Sequence, residues 1–337
     1  MDNFWKDKKV LLTGGAGFIG SNLAKDLVAL GAHIAIIDNF ERGKIEYISE
    51  IYDSIVLFKG DLKNKYFCEV IFSRPIDIVI HMASKVGGIG YYTSRPYEVI
   101  SEMLQADSNV LESVLENNIP NYFYASSAHI YPIELQGTPD SDAITEDQAY
   151  PANPELSYGW AKLIAERQIE YACKENPSLR AAIARYIGIF GPNQDYALET
   201  GSVIPVFTHR AIKHPEIPFS VWGTGQETRS YCYIDDAVEC TKLMIEKMQE
   251  KQIVGPYNVG KQERIKIEDI AKKIIDMSGK DISIEYDATK ETLIWGQWCD
   301  CTLAAKELDG WKAKVPFDEG LKKINEDLTR RLSNERT

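Results

Sequence analysis

Val10-Leu11-Leu12-Thr13-Gly14-Gly15-Ala16-Gly17-Phe18-Ile19-Gly20 is the stretch on which the fold turns. A short apolar run of β type enters glycines spaced G-x-x-G-x-x-G, and a helical pattern to Leu30 follows. Glycines let the backbone turn tightly and approach a pyrophosphate, whose charge then sits at the positive helix N-terminus. A glycine run alone fits an ordinary tight turn as well. Its place between strand and helix selects the dinucleotide reading, with Gly14, Gly17, Phe18, Ile19 and Gly20 as cofactor-binding positions.

The pattern continues outward. His33–Asp38, Ile55–Lys59, Asp77–Ala83, Asn121–Ala128 and Leu179–Tyr186 read as further strands, with helices over Ser94–Glu116 and Ser157–Glu175. Ser94 and Pro96 are expected to cap and open the first of these helices, and Asn117, Asn118 and Pro120 to stop it. Strands alternating with helices predict an α/β, doubly wound parallel (Rossmann) sheet. Beyond Gly191-Pro192, closely spaced Pro and Gly punctuate short elements, which predicts a smaller mixed α/β domain. The expected division is 1–187 for the NAD-binding domain, completed by about 229–260, with 188–228 and 261–330 forming the substrate-binding domain. The charged tail from Lys322 reads as a solvated helix.

Asp38, eighteen residues beyond Gly20, ends the second strand. Its carboxylate can hydrogen-bond both adenosine ribose hydroxyls and repel a 2′-phosphate, which favours NAD; Arg42 is the feature that would instead suit NADP. Asp61, in Gly60-Asp61-Leu62, either approaches the adenine or is an ordinary loop aspartate.

Composition narrows the function. The 337 residues are 44% hydrophobic and 26% charged with a formal net charge of −12, which argues against a phosphate-backbone binder of nucleic acid. No apolar run approaches the ~20 residues that span a bilayer, and the opening Met1–Lys9 lacks an apolar signal core, so a soluble, cytoplasmic protein without a membrane partner is expected. Six cysteines include no C-x-x-C pair; Cys299 and Cys301 read as free thiols rather than metal ligands, and no metal is expected.

Tyr158-Gly-Trp-Ala-Lys162 opens a predicted helix, so phenol and ammonium share a face about one turn apart. An ammonium beside a phenol is expected to draw its pKa down from ~10 and make it a base for a sugar hydroxyl. The same spacing recurs at Tyr257/Lys261 and Tyr286/Lys290, so spacing alone decides nothing. Only the first copy follows a strand ending Ala125-Ser126-Ser127, where Ser127, chosen over Ser126, can hold the reacting oxygen.

Together these stretches resemble the extended short-chain dehydrogenase/reductases, in their nucleotide-sugar epimerase/dehydratase branch. Matching segments are Thr13–Gly20, His81-Met-Ala83, Ser126–Tyr131, Tyr158–Lys162, Arg185–Pro192, Trp222–Asp236 and Asn258–Gly260. The resemblance implies catalytic roles for Ser127, Tyr158 and Lys162, cofactor contacts from Asn39, Asp61, Leu62, Ala83 and Lys162 besides the glycine loop and Asp38, and a substrate diphosphate or nucleotide site at Arg229 with Trp222 nearby. It also implies a homodimer, to which the extra apolar residues Trp160, Leu163, Ile164 and Ile169 of Ser157–Glu175 lend a physical reason.

Ala83-Ser-Lys85-Val-Gly87-Gly88-Ile-Gly90 resembles a loop of GDP-fucose synthases and GDP-mannose 3,5-epimerases, favouring a GDP-linked sugar and making Lys85, Gly87 and Gly88 substrate-binding candidates. His129 stands where the 3,5-epimerases carry cysteine and the 4,6-dehydratases glutamate; it is either an acid/base group or a hydroxyl ligand. The lysine that partners that cysteine is replaced near Val203. The expected activity is an epimerase working through a 4-keto intermediate. Alternatives are a C4 dehydrogenase, a 3,5-epimerase and, in another class, a catalytically silent NAD-binding regulator.

Overall fold

The computed structural model describes residues 3–85, 87, 89–290 and 294–334. Strands β1 (Lys9–Thr13), β2 (His33–Asp38), β3 (Ile55–Lys59), β4 (Ile78–His81), β5 (Asn121–Ser127) and β6 (Arg180–Tyr186) join a further strand, Ile253–Val259, in one seven-stranded sheet. Every pairing in it is parallel, in the order 253–259, β6, β5, β4, β1, β2, β3. The order reverses between β1 and β4, so the C-terminal ends of these two strands, Thr13 and His81, flank the crevice where such sheets bind ligands.

Alternation along the strands feeds two cores. Val10, Leu12, Ile34, Ile36, Ile78 and Ile80 pack on one face with Leu23, Ala24 and Leu27 of α1 (Phe18–Ala29). Leu11, Ile37, Val79, Tyr122 and Tyr124 face the other way, covered by α2 (Lys65–Phe72), α4 (Pro96–Glu116) and α5 (Ser157–Glu175) through Ile71, Val110, Val114 and Ile169. Because both faces are covered, β4 and β5 are buried along their whole length, including His81, Asn121, Ser126 and Ser127.

Two local expectations are corrected. Ser94 does not cap the long helix: it ends a separate short helix α3 (Ile89–Ser94), its Oγ donates to the Tyr91 carbonyl, and Arg95 holds the N-cap position of α4 without a side-chain bond. The tail is not simply solvated either. It lies in the helix Phe317–Asn334, whose Leu321, Ile324, Leu328 and Leu332 are buried in the first core.

After β6 the chain makes short elements. Thr228–Arg229 pairs antiparallel with Ile265–Lys266 and parallel with Gly296–Gln297, and Ser220–Trp222 pairs with Glu285–Asp287. Between them the helix Ile234–Lys247 returns to the large sheet and leads to its seventh strand. Among the described residues no helix is long and apolar enough to cross a membrane.

Candidate active site

Strand β5 and helix α5 bring the central residues together. Gly159 makes this possible: a Cβ there would fall 2.0 Å from the His129 carbonyl oxygen, so only glycine lets the first turn of α5 press against the loop after β5. Tyr158 is thereby buried between His129, whose ring meets it edge-on at 5.7 Å, and Tyr92 at 4.9 Å.

The two serines part company. Ser126 donates to the buried carboxylate of Glu166, which also takes a two-pronged ion pair from Arg185, through Nε at 3.0 Å and Nη2 at 2.7 Å. Ser127 Oγ accepts the His129 N–H at 3.2 Å and bears on the Tyr158 phenol. Ser84 also acts on that phenol, yet its Oγ has no hydrogen bond of ordinary geometry.

The expected tuning of Tyr158 by Lys162 is corrected. Burial pushes the phenol up to about 12, while Ser127 and Ser84 pull against the rise. The Lys162 ammonium, itself lowered by burial, instead donates to the Ala125 carbonyl at 2.7 Å and lies 4.5 Å from the Tyr124 ring centre. His129 is driven down to about 4, by burial first and Arg229 second, so its imidazole is neutral at ordinary pH. The two other Tyr/Lys pairs are set apart by local structure: Tyr257 and Tyr286 lie on strands rather than in the first turn of a helix.

A buried chain of groups escaped the sequence reading. Thr13 Oγ1 lies 2.6 Å from His81 Nδ1, His81 Nε2 lies 2.9 Å from Asp107 Oδ1, and Tyr124 OH donates to Asp107 Oδ2 at 2.7 Å. Burial opposes the Asp107 charge, but His81, Lys162 and Tyr124 outweigh it and hold the carboxyl below its usual range. The relay ties the cofactor loop to the ring beneath Lys162. Its signal was Asp107 itself, an acid in the buried stripe Met103, Asp107, Val110 and Val114 of α4.

The glycine loop fits a dinucleotide. Gly14 has φ +67°, and a Cβ on it would meet the Ala83 backbone at 2.7 Å; on Gly20 it would meet the Gly14 carbonyl at 2.3 Å. Gly17 caps α1 with no side chain over the helix N-terminus, leaving its N–H groups open to an anion. Asp38, buried at the end of β2, accepts N–H bonds from Ala16 at 3.0 Å and Phe40 at 2.9 Å, and burial outweighs them to raise its pKa. Phe18 and Ile19 form the first turn, and the Ala83 N–H reaches Thr13 Oγ1 at 3.2 Å. Arg42, the NADP candidate, is paired with Asp195 at 3.0 Å.

The remaining candidates are more dispersed. Asn39 caps the Glu41 N–H at 3.0 Å, Asp61 turns back on the Lys63 N–H at 2.9 Å, and the buried Leu62 offers its carbonyl to Asn109. Lys85 is held by Glu102 at 2.6 Å and Glu98 at 3.1 Å, and these carboxylates outweigh burial to raise its pKa. The Gly87 N–H donates to Tyr92 OH at 3.0 Å; Gly88 lies outside the described residues. Arg229 gives Nη1 to Thr228 O and Nη2 to Ile294 O, both at 2.9 Å. Trp222 is exposed beside the Lys290 ammonium, 5.3 Å from its ring centre. Cys299 and Cys301 are buried thiols 3.5 Å apart, and no metal-binding cluster of three or more His, Cys, Asp or Glu side chains occurs among the described residues.

Sheet, glycine loop and the Ser/Tyr/Lys group define a dinucleotide-dependent α/β enzyme. The model of the NAD dependent epimerase/dehydratase family matches residues 10–260, and the chain belongs to that family. It is 26% identical over 323 residues to GDP-mannose 3,5-epimerase 1 of Oryza sativa subsp. indica, covering 95% of this chain and 82% of that protein. It is 30% identical over 282 residues to UDP-N-acetyl-alpha-D-glucosaminuronate decarboxylase of Bacillus cytotoxicus, covering 83% of each. The UDP-glucose 4-epimerase of Thermotoga maritima, solved with UDP-glucose, aligns with a TM-score of 0.83 at 25% identity over 96% of this chain and 99% of that one. The protein is thus an NAD-dependent enzyme of the epimerase/oxidoreductase kind.

Proposed function

We propose that the protein inverts C4 of a nucleotide sugar through a transient 4-ketone, with a GDP-linked hexose as substrate. The observation that carries this reading is the buried contact of the Tyr158 phenol with Ser127, one helical turn from Lys162. Ser127 holds the C4 oxygen, and Tyr158, whose phenol burial keeps protonated in the free protein, takes that proton as the phenolate that the Lys162 charge and bound NAD would favour, and later returns it. Lys162, fixed on Ala125 O, supplies positive charge beneath the site and would be a candidate partner for the cofactor ribose. Gly14, Gly17 and Gly20 would hold the dinucleotide and Asp38 would accept from its ribose hydroxyls; when bound, the cofactor would supply the acceptor and donor of hydride. Arg229 takes the substrate diphosphate, since its planar fork retains N–H donors beyond the two backbone carbonyls it serves.

The neutral His129 favours C4 inversion over the 3,5-epimerase route, because an imidazole with a pKa near 4 is a weak base for a carbon-bound proton. The GDP preference is supported by the loop around Gly87 and by similarity to the rice enzyme. We also propose a homodimer, with exposed Tyr97 on α4 and Trp160, Ile164 and Tyr171 on α5 as the meeting face, and a cytoplasmic setting, where six free cysteines are at home. The domain division stated above, at 187/188 with return near 229–260, belongs to the same proposal.

Incubation with GDP-, UDP-, CDP- and dTDP-sugars in deuterated water tests the reaction. An unlabelled, C4-inverted product is expected; deuterium at C3 or C5 overturns simple C4 inversion, and a stable ketone with stoichiometric NADH indicates a dehydrogenase.

A further inference from the structure

The buried hydrogen bonds around Asp107 fix where each proton sits. The Ala83 N–H donates to Thr13 Oγ1 at 3.2 Å, and Thr13 Oγ1 lies 2.6 Å from His81 Nδ1. Thr13 is fully buried, and among the described residues its hydroxyl proton has an acceptor only if it points at that nitrogen. The imidazole then carries its own proton on Nε2 and gives it to Asp107 Oδ1 at 2.9 Å, while the Tyr124 hydroxyl gives its proton to Oδ2 at 2.7 Å. Each donor in the chain is used once. It ends on a carboxylate anion that pairs with no lysine or arginine among the described residues.

A carboxylate taken out of water is costly unless positive charge stands near it. For Asp107 that charge lies across one ring: Lys162 Nζ is 4.5 Å from the centre of Tyr124, whose hydroxyl Asp107 holds. The ring keeps the two charges from touching, and the ammonium stays on the Ala125 carbonyl. Glu166, the other acid near Lys162 and on its own helix, is already matched by the two-pronged pair with Arg185. Asp107 also faces Tyr122 from β5, and the Tyr158 phenol faces Tyr92 from α3 and His129 from the loop after β5, all three neutral at ordinary pH. We propose that Asp107 is a positioning residue, the buried counter-charge of Lys162, and that its negative charge sets the pH range in which Tyr158 and Lys162 work. The inference rests on the reading that this pair handles the proton at C4. An anion at this place favours the protonated form of both groups, phenol and ammonium. Ser127 and Ser84 bear on the phenol as hydrogen-bonding groups, whereas Asp107 acts on it through charge alone, so it governs where the pair titrates rather than how the sugar oxygen is held.

The dependence of kcat on pH in Asp107→Asn and Asp107→Ser tests this. Asparagine keeps the shape of the side chain and serine leaves space, so a displacement common to both belongs to the lost charge rather than to packing. Both limbs of the bell should move toward acid together, by about one pH unit. A purely structural residue would lower the bell and leave its limbs in place. A second measurement needs no substrate: the phenolate absorbance of Tyr158 in the NAD-loaded protein, taken as the difference from Tyr158→Phe in the same background, should titrate about one pH unit lower in both variants. An unmoved phenolate titration, limbs that stay in place or move apart, or loss of folding in both variants overturns the proposal. A shifted phenolate titration without C4 inversion of any nucleotide sugar overturns the epimerase reading and leaves this one standing.

Discussion

Lys162 Nζ donates to the carbonyl oxygen of Ala125 at 2.7 Å, so the ammonium is fixed to the strand that carries the serines rather than to the tyrosine one turn earlier on its own helix. Lys162→Met should therefore leave that carbonyl without its donor and lower kcat by about 10²–10⁴-fold. Lys162→Arg should not restore it, because the slot over Tyr124 is fully buried and sized for a slender chain. Single-turnover rates at saturating substrate check both.

Ser126→Ala and Ser127→Ala should differ in their effect on the chemistry. Loss of the Ser127 hydroxyl should lower kcat at least tenfold besides costing about 1 kcal/mol through its bond from the His129 N–H, whereas Ser126→Ala should cost about 1 kcal/mol of stability through its bond to Glu166 and spare the chemistry. Glu166→Ala should be far worse, about 3–5 kcal/mol, because it strands the Arg185 guanidinium in the core. Urea denaturation measured alongside kcat separates the three.

His129 has a folded-state pKa near 4 against 6.5 when unfolded. Below pH 6.5 the unfolded chain takes up a proton that the folded one refuses, so stability falls as pH drops from about 6.5 to about 4 and is constant on either side. The contribution is at most about 3 kcal/mol. Denaturant midpoints at pH 7 and pH 4.5 should accordingly differ less in His129→Asn than in the wild type; an identical difference in both would show that this ring does not titrate as described.

Asp38→Asn should weaken NAD by about 1.5–3 kcal/mol through loss of charged hydrogen bonds to ribose, while NADP loses less because the repulsion of its phosphate is gone. The ratio of the two affinities should fall about tenfold or more in fluorescence titrations. Arg42, paired with Asp195, should change that ratio little when replaced by Ala.

What could be read beforehand was local. The β1 glycine loop, Asp38 and the Tyr158–Lys162 turn are written in neighbouring residues, and a parallel sheet follows from the alternation of strands and helices. What could not be read depends on contacts across the chain: Asp107 meets His81 over 26 positions, and Glu166 meets Arg185 over 19. Each acid sits in a helical stripe that is otherwise buried, which was the available signal. Burial also reversed the reasoning about Tyr158, since adjacency of a lysine lowers a phenol pKa only if the ammonium turns toward it. The amphipathic spacing of Leu321, Ile324, Leu328 and Leu332 was legible, but the charged residues between them masked it.

The close approach of Gly159 to the His129 carbonyl leaves no room between the backbones of helix and loop, which therefore carry the phenol and imidazole as one packed unit. On the C4 reading proposed above, the motion that sets stereochemistry would belong to the diphosphate tether and the carbohydrate, between backbones that do not part.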